Sequence, residues 1–236
     1  MEYDDDTEAS SSGRTTIRGE RLPASLRSLP DRDRPAFLNL AGDDAILREP
    51  MVMVCGARDA SETALDAAYR CGRLVAEAGY VVASGFARGV DMAAHRGALE
   101  AGGRTFALVP YGLSRFRLHR ELGDAFDPDR FLAASELAPW QVFTAHHALH
   151  RNKLLAALSL AVIVIEPGEG GGSWYSAKKA VELKRPLFFI EGERQEMAGR
   201  LMLLGGTRIE VSGGEPDLGE VWSCLSEDDF SAGLSG

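Results

Sequence analysis

Cysteine is scarce in this chain: Cys55, Cys71 and Cys224 are the only three in 236 residues, an odd number with no CxxC pair. Such a set builds neither a disulfide framework nor a thiolate zinc site, and a reduced, cytoplasmic protein is the simplest expectation. No stretch approaches the roughly 20 apolar residues of a membrane span, so no membrane partner is expected. The first residues carry Glu2, Asp4, Asp5 and Asp6 with no apolar run behind them, unlike a secretory signal. Positive charge is also short, 26 Lys and Arg against 35 Asp and Glu for a net charge of -9. Proteins that coat nucleic acid are usually basic, so a broad nucleic-acid-coating surface is disfavoured, although a local basic groove can exist on an acidic body. The dinucleotide run G-x-G-x-x-G is missing, with no ribose-binding acid after the next strand, which argues against a standard NAD site. HExxH is missing too. His146 and His150 are spaced i, i+4 as two metal ligands can be, but no third ligand follows at a convincing spacing. Capping or solvated histidines are the simpler reading, and no metal and no cofactor are expected.

Apolar residues are plentiful, 45% of the chain, enough for one well-buried core. Residues 1–35, rich in Ser, Arg, Asp and Pro, read as a disordered arm, and 36–50 as a short lead-in helix. Strands are expected at 51–55, 80–83, 105–109, 131–134, 161–165, 187–190 and 208–211. Helices are expected at 62–78, 90–101, 143–159, 173–184 and 194–204. The continuous apolar run Ala161–Ile165 suits a strand buried on both faces. Residues 212–236 read as an acidic tail with a short helix near 218–225. Alternation of strand and helix implies an α/β fold, a doubly wound, mostly parallel Rossmann-like sheet with helices on both faces. Ligands of such sheets bind beyond the carboxyl ends of the strands, near the switch point. Gly56, Gly85, Gly112 and Gly168–Gly172 all follow strands, so their turns should open on one edge.

The richest turn is Ser84-Gly85-Phe86-Ala87-Arg88-Gly89, between a strand and a helix. Glycines, a helix N-terminus, a hydroxyl and a cation together suit a phosphate. Asp91 and His95 share one helix face. They can form a local network that holds the loop, with Asp91 capping the helix, orienting His95 or pairing with Arg88; acid–base catalysis is the less economical reading. Gly56 and Arg58 lie in the first turn, where a tight turn and a phosphate contact are both open. Arg151-Asn152-Lys153 is either a solvated helix face or a phosphate or nucleic-acid contact. Gly171, Gly172 and Ser173 end a Gly-rich turn whose ordering is costly enough to suggest backbone approach to a ligand. Trp174 and Tyr175 beside it could stack on a base or belong to the core.

The run Ser84, Gly85, Ala87, Arg88, Gly89, Asp91, Ala94, His95, Ala98, Leu99, Gly102, Gly103 and Thr105 resembles the SGxARGxDxxAHxxAL..GGxT run of the DNA-processing protein family DprA/Smf, within the SLOG group of Rossmann-like domains. Gly112-Leu113, Ser135-Glu136, Arg151-Asn152, Gly172-Ser173 and Gly192 are similar to further family turns, some imperfectly, and the likeness covers about 51–211. The resemblance implies single-stranded DNA binding by a positive pocket of this domain, transfer to a RecA-type recombinase during transformation, and homodimerisation. It implies no catalytic residue. Arg58, Ser84, Gly85, Arg88, Gly89, Arg151, Asn152 and the 171–173 turn would line the pocket. The alternative is a nucleotide or nucleotide-derivative site, either a sensor or a phosphoribohydrolase, whose PGGxGTxxE turn Pro167–Ser173 superficially resembles. The place of that turn's carboxylate is taken by Ser176, which argues against hydrolysis.

Overall fold

The computed structural model describes residues 14–193 and 197–225. Its strands and helices run in chain order as β1 (Arg14–Arg18), α1 (Ala24–Arg27), β2 (Phe37–Gly42), β3 (Met51–Gly56), α2 (Glu62–Glu77), β4 (Val81–Ser84), α3 (Val90–Glu100), β5 (Thr105–Leu108), β6 (Phe131–Ser135), α4 (Ala145–Leu158), β7 (Ala161–Ile165), α5 (Gly172–Glu182), β8 (Leu187–Ile190), α6 (Ala198–Leu203), β9 (Thr207–Arg208), β10 (Val211–Ser212), β11 (Glu215–Pro216) and α7 (Gly219–Cys224). One nine-stranded sheet has the order β1-β2-β6-β5-β4-β3-β7-β8-β9. The seven strands from β6 to β9 are parallel neighbours, and β1 and β2 add an antiparallel edge. The doubly wound α/β fold expected from the alternation is therefore present.

Strand chemistry explains the layers. Along β3, Met51, Met53 and Cys55 face one core with Leu154 and Leu155 of α4 and Ala177 of α5, while Val52 and Val54 face a second core with Ala68 of α2 and Ala94 of α3. Every residue of β7 is fully buried, as its unbroken apolar run requires. The chain builds β3 to β6 outwards, then returns to lay β7 beside β3. The loops after β3 and β7 thus diverge at a topological switch point.

Two expectations are corrected. Residues 14–35 are not a disordered arm: β1 pairs with β2, and Ile17, Leu22, Leu26 and Leu29 are buried in the core. Residues 1–13 lie outside the described residues. The 36–50 segment is no helix; Leu38 and Leu40 alternate with more exposed neighbours in β2, and only a 3-10 turn over Asp44–Arg48 follows, capped by the Asp43 side chain. The short helix expected near 218–225 is present as α7, and the tail packs on the body. β10 and β11 form a hairpin, Val221 of α7 is buried, and Trp222 stacks on Tyr80 at 5.6 Å. Residues 226–236, and 194–196 at the start of the expected 194–204 helix, lie outside the described residues. Among the described residues no helix is long and apolar enough to cross a membrane.

Candidate functional site

A cleft of about 590 Å³ opens at the switch point, beyond the carboxyl ends of β3, β4 and β7. It gathers Gly56 and Arg58 from the first turn, Gly85 and Asp91 from the second, Arg151 and Asn152 from α4, and Gly171, Gly172 and Ser173 from the Gly-rich turn. Residues more than a hundred positions apart in sequence thus meet in one place. A second cavity, about 410 Å³, lies under the N-terminal segment near Pro50 and Leu158 and contains none of these turns.

Arg151 is the centre of the cleft. It is only 5% exposed, and its Nη1 donates to the Leu108 carbonyl at 3.1 Å while its Nε is buried without a partner. Gly85 explains how a guanidinium fits there: a Cβ on residue 85 would stand 1.5 Å from Arg151 Nη1. Asp91 stands near enough to bias the charge. Its Oδ2 accepts from the Gly85 and Ala87 N–H groups at 3.1 and 3.3 Å. Burial pushes the Asp91 carboxyl up, opposed by Arg151 and those amides; burial likewise pushes Arg151 down, opposed by Asp91. An arginine stays charged in proteins, so the cleft floor holds a fixed cation.

The walls add donors. Arg58 is exposed, and its guanidinium lies 5.9 Å from the Phe143 ring centroid. Asn152 Nδ2 donates to the Gly172 carbonyl at 3.0 Å, tying α4 to the first turn of α5. That helix starts with no side-chain cap, so its first N–H groups face the cleft end with the positive dipole. Glu166, fully buried at the end of β7, accepts from Ser61 N at 2.8 Å and Glu193 N at 2.9 Å, so one carboxylate joins the turns after β3, β7 and β8.

Five expected residues stand outside the lining. Ser84 is buried and donates to the Val54 carbonyl at 2.6 Å. Arg88 pairs with Asp59 at 2.6 Å, both side chains exposed. Gly89 has φ +81°, and a Cβ there would lie 2.4 Å from the Ala57 carbonyl oxygen, so it clamps two turns together. Lys153 is paired with Asp33 of the N-terminal segment. His95 is wholly buried in the helix core. Thr105 Oγ1 donates to the Val82 carbonyl, so its short contact with His95 Nδ1 has the histidine as donor. Nε2 then has no proton and no partner, and burial lowers the ring to about 3. Asp91 neither orients His95 nor pairs with Arg88; it holds the loop through backbone N–H groups.

Other expectations also resolve. His150 is bound to Glu136 at 2.7 Å, and Thr144 caps α4 through the His147 N–H. Trp174 packs on the core beneath Arg200. The aromatic that reaches the cleft is Phe143, 49% exposed, from the β6–α4 loop that also exposes Trp140 and Val142. Sequence reasoning passed over this loop; the Trp140–Phe143 pair just ahead of the Thr144 cap is the signal that was available.

Residues 14–206 match the family model for DNA recombination-mediator protein A. The match begins 37 positions before the expected domain start at 51, in agreement with the ordered β1 and β2. The chain is 33% identical to the DNA processing protein DprA of Streptococcus pneumoniae over 162 residues, 68% of this chain and 57% of that protein. It is 28% identical to that of Bacillus subtilis, over 75% of this chain and 59% of that protein. It thus spans under two thirds of the length of these relatives. The structure resembles S. pneumoniae DNA processing protein A with a TM-score of 0.73, 27% identity and coverage of 84% of this chain and 71% of that one. It shares its fold with Helicobacter pylori DNA processing protein A, a protein described by its single-stranded DNA binding mode, at a TM-score of 0.74, 24% identity and coverage of 92% and 97%. The chain belongs to the DNA recombination-mediator protein A family, the DprA/Smf proteins.

Proposed function

We infer that the switch-point cleft binds the sugar–phosphate backbone of single-stranded DNA. The observation that carries this reading is Arg151, a buried cation that lines the floor of an open cleft among the strand-end glycine turns. Burying a charge is costly without a partner, and a phosphate supplies one. Arg58 and the N-terminus of α5 supply further contacts that ignore base identity. Phe143 offers a face on which an unpaired base can stack. The single-stranded DNA binding mode described for the H. pylori relative supports the same ligand. Processing, uptake or recombination of DNA, a RecA-type recombinase as partner, and a homodimer follow from family membership and rest on it.

A mononucleotide is the second reading, because a volume of about 590 Å³ lies within the range of small-ligand pockets. Anisotropy with labelled oligo(dT), set beside thermal shift with dTMP, separates the two. Single-stranded DNA binding with no dTMP stabilisation is expected. Stabilisation by dTMP without oligonucleotide binding would favour the second reading.

A further inference from the structure

The Asp59–Arg88 pair sits at the lip of the cleft. Asp59 lines the cleft and Arg88 does not. Their contact is 2.6 Å, yet the side chains are 73% and 63% exposed, so water competes for both. Its placement is fixed by the backbone. Val90 N donates to the Ala57 carbonyl at 3.1 Å, and Gly89 lies against the Ala57 and Arg58 carbonyls. These contacts lock the β3–α2 turn that carries Asp59 against the β4–α3 turn that carries Arg88.

We propose that Asp59 is an affinity-limiting residue: its carboxylate occupies the anion position of Arg88 in the free protein, and an incoming phosphate of single-stranded DNA must displace it. This rests on the DNA reading of the cleft. Charge makes the exchange natural. Both anions are oxygen acceptors that match a guanidinium, and only one can hold the same N–H edge at a time. Asp59 also places negative charge on the path to Arg58, its neighbour in sequence. An exposed pair is weak enough to open, and the released Arg88 gains a phosphate contact. The pair thus lowers affinity without blocking the cleft, which suits a protein that must hold a strand and later release it.

The test is oligo(dT) binding by anisotropy across a potassium chloride series, for the wild-type protein, Asp59→Asn, Arg88→Ala and the double variant. Asp59→Asn should tighten binding about twofold to fivefold, the range of one exposed pair. It should also steepen the plot of log K against log salt by up to about 0.7, the share of one single-strand phosphate. In the Arg88→Ala background the steepening should vanish. Wild-type binding that Asp59→Asn leaves unchanged or weakens overturns the latch and leaves the DNA reading intact. Binding by Asp59→Asn alone supports the latch in its strongest form. Failure of both proteins to bind at low salt overturns the latch together with the DNA reading.

Discussion

Lowering the pH should destabilise this fold through His95. The ring is fully buried, its Nδ1 is committed to Thr105 and its Nε2 has no partner, so protonation would put an uncompensated charge into the core. The folded ring stays neutral to about 3, against an ordinary value of 6.5. The unfolded state therefore binds more protons throughout that window, and stability falls as pH falls through it. At about pH 5 the unfolded ring is almost fully charged and the folded one is not, a difference of about 1.5 pH units from 6.5, or roughly 2 kcal/mol. His150 acts with the opposite sign. Its hydrogen bond to Glu136 raises it, so that contribution is present at low pH and fades as pH rises through the raised value. Comparing wild type with His95→Asn cancels it. Urea unfolding at about pH 8 and pH 5 should show wild type losing roughly 2 kcal/mol more than the variant does. By NMR, one of the five histidine rings should fail to titrate above about pH 4. Parallel losses in the two proteins, or five rings all titrating in the ordinary range, would refute the buried-neutral assignment.

Two substitutions probe the cleft. Gly85→Ala forces Arg151 out of its seat; thermal or urea unfolding should register a loss of about 1–3 kcal/mol, the scale of overpacking, and DNA affinity should fall with it. Unchanged stability and affinity would show that Arg151 need not lie where the cleft puts it. Phe143→Ala, at a half-exposed site, should leave the melting temperature nearly unchanged and weaken oligo(dT) binding by about 1–3 kcal/mol, with Phe143→Trp retaining affinity.

The parallel sheet was legible because β3 and β7 are short apolar runs broken by glycine, and periodicity carries such strands. β1 and β2 escaped because each covers the core with few side chains: Ile17 alone is buried in β1, Leu38 and Leu40 in β2. Their stability comes from pairing, which a residue count does not register. At the site, the Gly-rich turns and Arg151-Asn152 were legible as strand-end and helix chemistry. The roles of Arg88 and Lys153 were not, since their carboxylate partners, Asp59 and Asp33, come from distant turns. His95 reads as a loop-network or pocket residue in a motif and as a core residue in space. Phe143 lies in a loop without periodicity, and its position over Arg58 is a tertiary fact.

Contact of Arg58 and Arg151 with phosphates of single-stranded DNA is tested by the salt dependence of oligo(dT) binding for wild type and Arg58→Ala. Affinity should fall steadily with salt, with a slope shallower by about 0.7 in the variant and losses alike for dT and dA oligonucleotides. Wild-type binding that is insensitive to salt, or a variant slope identical to wild type, would contradict it.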